Sequence, residues 1–253
     1  MTSSLLDVRL GSQTPRVSTY PPATYSSGPD VVEVAAAAGL VLDPWQRYVL
    51  EHGLGERGDG KWAAREVACW VPRQNGKGVI IEARVLAGLF LFKEKRILWS
   101  AHEYKTAADG FLRIRELIQS APEFDALVKR YWEGSGEQGI ELTTGQRLKF
   151  IARSRGSGRG FSGDLIVLDE AQELTLLQMK ALFSTMSAKS ISGNPQIWYL
   201  GTPPEDPAAW VYGLRKDGEA GKDRLAYFDW GLGEVDLTPP VKERLLRYAD
   251  RDL

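Results

Sequence analysis

Val71-Pro72-Arg73-Gln74-Asn75-Gly76-Lys77-Gly78 follows a strand-forming run, Arg65–Val71, and opens an apolar helical stretch from Lys77 to about Phe92. A strand, a polar turn ending in Gly-Lys and a helix together form a phosphate cradle. Backbone N–H groups converge on the anion, the lysine reaches the terminal phosphates, and the helix N-terminus lies behind them. The turn departs from the usual pattern in two places. Val71 occupies the position of the opening glycine, and Gly78 the position of the Ser or Thr whose hydroxyl completes a Mg²⁺ shell. Arg73 lies inside the turn, where a cation can sense a γ-phosphate.

Further along, Leu165-Ile166-Val167-Leu168 is a continuous apolar strand delivering Asp169 and Glu170 to its C-terminal end, the edge at which open α/β sheets bind ligands. In this pairing Asp169 holds Mg²⁺, and Glu170 orients and deprotonates an attacking water. An adjacent catalytic glutamate marks the ATPases with an extra strand between loop and acid pair, and Arg96–Ala101 is assigned that strand.

Around these motifs, strands and helices alternate. Helices are expected over Asp30–Ala38, Pro44–His52, Tyr104–Ser120, Pro122–Trp132, Leu174–Met186 and Pro240–Tyr248. Strands are expected at Gln196–Leu200 and Leu225–Trp230, and a hairpin at Gly139–Leu142 and Gln146–Ala152, with the segment Asp206–Asp217 between the last strands. The pattern implies an α/β fold of the P-loop NTPase type, its mainly parallel sheet covered by helices on both faces. Residues 1–29, rich in Ser, Thr, Pro and Gly, read as an extended or partly disordered arm, 30–235 as the ATPase domain, and 236–253 as a C-terminal helix or linker.

Bulk composition is that of a globular domain. The 253 residues are 43% apolar and 26% charged with a net charge of −1, so nucleic acid has to be met by a local patch. A single cysteine, Cys69, excludes an internal disulfide. The apolar run Val85–Phe92 is far short of the ~20 residues that span a bilayer. No membrane association is expected.

The ordered motifs resemble the ATPase domain of large terminase subunits, the motors that package double-stranded DNA into tailed-phage capsids. Leu42-Asp43-Pro44-Trp45-Gln46 is similar to that family's adenine-binding segment, with Gln46 on the base edge and Trp45 packing nearby. Pro72-Arg73-Gln74-Asn75-Gly76-Lys77 resembles its deviant phosphate loop, and Asp169-Glu170-Ala171 its acid pair. Gly201-Thr202-Pro203 resembles the coupling motif that links hydrolysis to movement. Gly78 is the clearest departure and puts the Mg²⁺ hydroxyl ligand in question.

The resemblance implies ATP and Mg²⁺ as cofactors. It also implies double-stranded DNA, a portal protein and a small terminase subunit as partners, and a homo-oligomeric ring on assembly. The expected location is the bacterial host cytoplasm, transiently at the procapsid portal and outside the mature virion. Alternatives are a helicase-like DNA-dependent ATPase and, because of Gly78, a nucleotide- or DNA-binding module with little hydrolysis. Arg147, Lys149, Arg153, Arg155 and Arg159 form a basic stretch ahead of the acid pair. Its arginines fit either DNA phosphate contacts or a finger inserted into a neighbour's nucleotide site. Arg159, eleven residues before Glu170, is assigned the finger with Arg155 in reserve, and Arg147, Lys149, Arg153 and Arg155 are candidate DNA contacts. The family's nuclease domain has no room after Trp230, so the chain reads as an ATPase domain cut from a longer protein, without nuclease activity.

Overall fold

A computed structural model describes residues 12–134, 137–153, 163–175, 178, 193–203 and 210–231. In chain order the elements are β1 (Val17–Thr19), β2 (Tyr25–Ser26), α1 (Gly28–Ala37), α2 (Pro44–Gly53), β3 (Gly55–Glu56), β4 (Glu66–Trp70) and α3 (Lys77–Phe90). They continue with β5 (Arg96–Ala101), α4 (Tyr104–Gln119), α5 (Pro122–Asp125), β6 (Val128–Gly134), β7 (Glu137–Leu142), β8 (Arg147–Ala152) and β9 (Leu165–Leu168). A 3₁₀ turn at Ala171–Glu173, β10 (Gln196–Gly201), α6 (Trp210–Glu219) and β11 (Leu225–Asp229) complete the described chain.

Nine strands form one sheet in the order β1-β11-β4-β10-β9-β5-β8-β7-β6. The central six, β11 to β8, run parallel. β1 closes one side antiparallel to β11, and the β8-β7-β6 meander closes the other. Alternation along the buried strands divides the core into two layers. Val67, Cys69, Val167, Trp198 and Leu200 pack with α1–α4, including Ile80, Leu86 and Phe111. Ala68, Trp70, Ile166, Leu168 and Tyr199 pack on the opposite face with Leu174 and Val211 of α6.

The topology corrects three readings. β10 lies between β4 and β9, whereas Arg96–Ala101, the expected intervening strand, is β5 on the far side of β9. The helix expected over Pro122–Trp132 stops at Asp125, and Val128–Gly134 pairs with β7, where Lys129 and Arg130 reach the Glu141 carboxylate. Val17–Thr19, placed in the extended arm, is a strand in register with Tyr227–Asp229. The helices expected at Leu174–Met186 and Pro240–Tyr248 fall almost wholly outside the described residues.

α3 is fixed to the sheet by ionic groups that interrupt its apolar sequence. Arg84, fully buried, makes two hydrogen bonds to Glu94 at 3.0 and 2.7 Å, and its Nε donates to Gln196 Oε1 at 3.3 Å. The Gln196 amide in turn donates to the carbonyls of Gly53 and Ala64. Trp62 and Phe92 flank the guanidinium at 5.6 and 5.2 Å. One network thus joins the end of α2, the middle of α3 and the start of β10.

Removing one member of such a pair strands a buried charge at a cost of ~3–5 kcal/mol. Glu94→Ala is therefore expected to lower unfolding free energy by about that amount in urea denaturation. Arg84→Met combined with Glu94→Leu is expected to recover most of the loss.

Candidate nucleotide site

β4 ends at Trp70, and the Val71 N–H donates to the Gly201 carbonyl at 3.0 Å, so the start of the loop is tied to the end of β10. Asn75 Nδ2 closes the loop on itself through the carbonyls of Pro72 (3.2 Å) and Arg73 (2.9 Å). Gln74 (φ 61°) and Gly76 (φ 74°) are left-handed, which turns the chain into α3 at Lys77. Residues 73–76 are exposed, as an anion cradle requires.

Gln46 is buried against this loop. Its Oε1 accepts from the Asp43 N–H at 2.7 Å, capping α2, and its Nε2 donates to the Gly76 carbonyl at 3.0 Å. The amide still holds one N–H and one acceptor lone pair. Trp45 is buried with its ring edge-on to Trp230 at 5.2 Å, a packing role that braces the start of α2.

On the other side of β10, the Asp169 N–H donates to the Ser100 carbonyl at 2.9 Å, and Asp169 Oδ1 accepts the Glu170 N–H at 2.9 Å. Glu170 is left-handed (φ 49°, ψ 49°), and its Oε2 is buried without a hydrogen-bond partner among the described residues. Burial pushes the Asp169 carboxyl above the ordinary range. The Glu170 N–H works against that shift, the Glu170 charge adds to it, and the charges of Lys77 and Arg153 oppose it. Loop lysine and acid pair therefore share one electrostatic site. A buried, unpaired carboxylate oxygen beside a second carboxylate suits a divalent cation.

Gly78 lies in the first turn of α3. The nearest group to the position a Cβ would take there is Glu82 Oε1, 3.9 Å away, so the space is open. Glu82, one turn along and held by Arg113 at 3.4 Å, faces that space and is raised by burial. Gly201 and Thr202, the expected coupling segment, contact the acid turn. The Thr202 N–H donates to Gln172 Oε1 at 3.2 Å, and a Cβ on Gly201 would fall 2.3 Å from that oxygen and 2.6 Å from the Trp70 ring.

Of the basic residues, Arg147 pairs with Glu141 at 3.1 Å and Lys149 with Glu137 at 2.7 Å, both on the hairpin. Arg153, a candidate DNA contact, is instead turned into the sheet edge, where its guanidinium binds the carbonyls of Ser100, Asp169 and Glu170. Arg155 and Arg159 lie outside the described residues. Gln172 and Arg153 are the contributors the sequence did not single out for this site. The signal that could have found them is position, since each lies just past the C-terminal end of a parallel strand.

Solved structures share this architecture. The HK97 bacteriophage large terminase superposes with a TM-score of 0.69 at 17% identity, over 84% of this chain and 46% of that one. The fold is that of phage large terminase ATPase domains. The ATPase domain of the Thermus phage P74-26 large terminase matches with a TM-score of 0.57 at 17% identity, covering 84% of this chain and 89% of that domain. A large terminase from a thermophilic bacteriophage, solved in complex with ADP, matches at 0.51 and 14% identity, over 73% of this chain and 45% of that one. The chain thus spans under half of the HK97 terminase and of the ADP-bound terminase. No protein-family model matches it, and no curated protein matches its sequence. No helix among the described residues is long and apolar enough to cross a membrane.

The raised Asp169 carboxyl gives a stability test. Its native pKa exceeds the unfolded value, so the cost is absent below the unfolded pKa and grows as pH rises through the interval to the native one. Above that interval the cost is full. Asp169→Asn keeps an oxygen for the Glu170 N–H. It is expected to melt higher than wild type at pH 7, with the difference vanishing as pH falls below the carboxylate range, read by circular dichroism.

Proposed function

We propose that the chain is the ATP-hydrolysing motor domain of a phage large terminase subunit, driving double-stranded DNA into a procapsid. The observation that carries this reading is the convergence of the Gly76-Lys77 loop end and the Asp169-Glu170 turn at one sheet edge. They flank β10, in a fold shared with terminase ATPase domains.

In this reading the loop N–H groups and the start of α3 cradle the phosphates, with Lys77 and Arg73 countering their charge. Asp169 would hold Mg²⁺, and Glu82 is the carboxylate that faces the space beside Gly78. The ion, when bound, neutralises charge on the phosphates. Glu170 takes the proton of the attacking water, a role suited to its unpaired buried oxygen. The free N–H and lone pair on Gln46 match the paired donor and acceptor of an adenine edge. Through Gln172, Thr202 is joined to the turn that carries Glu170, a direct route from the hydrolysis state to β10. Arg159 is the candidate trans finger of a ring, and the β6–β8 face, where Lys129, Arg130 and Arg147 gather on Glu141, is the candidate DNA surface. Portal, small subunit and the bacterial cytoplasm complete the proposal.

Steady-state phosphate release tests the enzyme. Glu170→Gln is expected to lower kcat by ~10²–10⁴-fold, the usual worth of a general base, with ATP binding retained. Lys77→Ala is expected to lose nucleotide affinity. Equal background rates in wild type and Glu170→Gln, with ATP still bound, would instead favour the binding-module reading that Gly78 raises.

Gly78→Ser, for which the space exists, is expected to lower the Mg²⁺ concentration at half-maximal hydrolysis. An unchanged Mg²⁺ requirement would show that the missing hydroxyl is already replaced.

A further inference from the structure

Arg153 immediately follows β8, and its N–H continues the ladder to the Ala101 carbonyl of β5 at 2.9 Å. From there its side chain crosses the C-terminal edge of the sheet to β9. Nη1 donates to the Ser100 carbonyl at 2.7 Å, and Nη2 donates to the carbonyls of Asp169 at 2.6 Å and Glu170 at 3.1 Å. The Ser100 carbonyl also receives the Asp169 N–H, so guanidinium, β5 and the acid turn form a closed hydrogen-bonded ring. The arginine accepts a cost for this placement, since its Nε is buried without a partner among the described residues.

The pair of carbonyls on Nη2 is the telling feature. Successive carbonyls of an extended strand point in opposite directions. Those of Asp169 and Glu170 meet one nitrogen because Glu170 leaves the strand in the left-handed conformation. A residue with a Cβ occupies that region only where its surroundings impose it. A planar guanidinium reaching three carbonyls, one on β5 and two in the turn after β9, imposes it in a way an ammonium point charge does not.

We propose that Arg153 is a positioning residue for hydrolysis, holding the turn that sets the direction of the Glu170 carboxylate. This rests on reading Glu170 as the group that activates water. Burial draws the Arg153 guanidinium down to about 10, against the charges of Asp169, Glu170 and Glu173, so it stays protonated at neutral pH. That charge also opposes the upward shift of Asp169.

The test compares Arg153→Ala, Arg153→Lys and Glu170→Gln in the full 253-residue chain. Arg153→Ala is expected to lower kcat on the order of 10²-fold, the scale of a ~1 Å misplacement of a reacting group, with ATP-analogue affinity unchanged. Arg153→Lys is expected to recover only part of this. By hydrogen exchange, the amides of 169–174 are expected to open faster in both Arg153 variants, with those of α3 and β4 still protected. Guanidinium ion added to Arg153→Ala is expected to restore part of kcat and of the local protection.

An unchanged exchange pattern at 169–174 overturns the proposal. So does loss of protection across the whole sheet, which marks general stabilisation, or a defect confined to DNA affinity. The two levels separate cleanly. If Glu170→Gln is inactive and Arg153→Ala turns over normally, the positioning role fails alone. If Glu170→Gln hydrolyses at the wild-type rate, the base assignment fails, and the positioning role for hydrolysis falls with it.

Discussion

A side chain at 201 has no room: a Cβ there would overlap Gln172 Oε1 at 2.3 Å and the Trp70 ring at 2.6 Å. The rest of the site depends on that closeness. With only hydrogen at this point, the end of β10 accepts the Val71 N–H on one side, while Thr202 donates to Gln172 on the other. The phosphate loop and the acid turn are therefore bonded to adjacent residues, the one to Gly201 and the other to Thr202. Parallel registers carry the arrangement back into the core, since Gly201 lies level with Trp70 of β4 and Tyr199 level with Leu168 of β9. A displacement of β10 along its axis alters both hydrogen bonds together. That is the mechanical property the coupling role proposed for Thr202 needs.

The parts of this design legible in the sequence are the locally determined ones. The strand–loop–helix around Lys77 and the apolar strand before Asp169 announce themselves by residue type over short windows. The bounds of β5 are legible end for end, because Arg96–Ala101 is buried throughout beyond its first residue. Strand order, however, is tertiary. Gln196–Leu200 and Arg96–Ala101 look alike as sequences, and only packing decides which of them sits beside β4. β6 is hidden for a related reason. Its stretch from Val128 carries helix-tolerant Lys129 and Arg130, whose strand conformation is secured by Glu141, twelve and eleven residues away. β1 depends on a partner strand at the opposite end of the domain. Charge groups Arg153 with its basic neighbours, whereas its contacts are to carbonyls that charge counting does not register.

Among the described residues, four other than glycine adopt positive φ: Gln74, Lys93, Glu170 and Arg224. Two of them lie in the two motifs that form the site, and each is held by donors to nearby carbonyls: Asn75 closes the loop around Gln74, and Arg153 closes the turn at Glu170. A non-glycine residue in this region costs ~1–3 kcal/mol and persists only where surrounding contacts over-determine it. Asp169, raised by burial, adds an electrostatic cost at the same place. Natural selection for stability alone would replace Glu170 with glycine and Asp169 with a neutral residue. Retaining both, with a half-buried arginine committed to their backbone, is what the role proposed for this turn in hydrolysis requires.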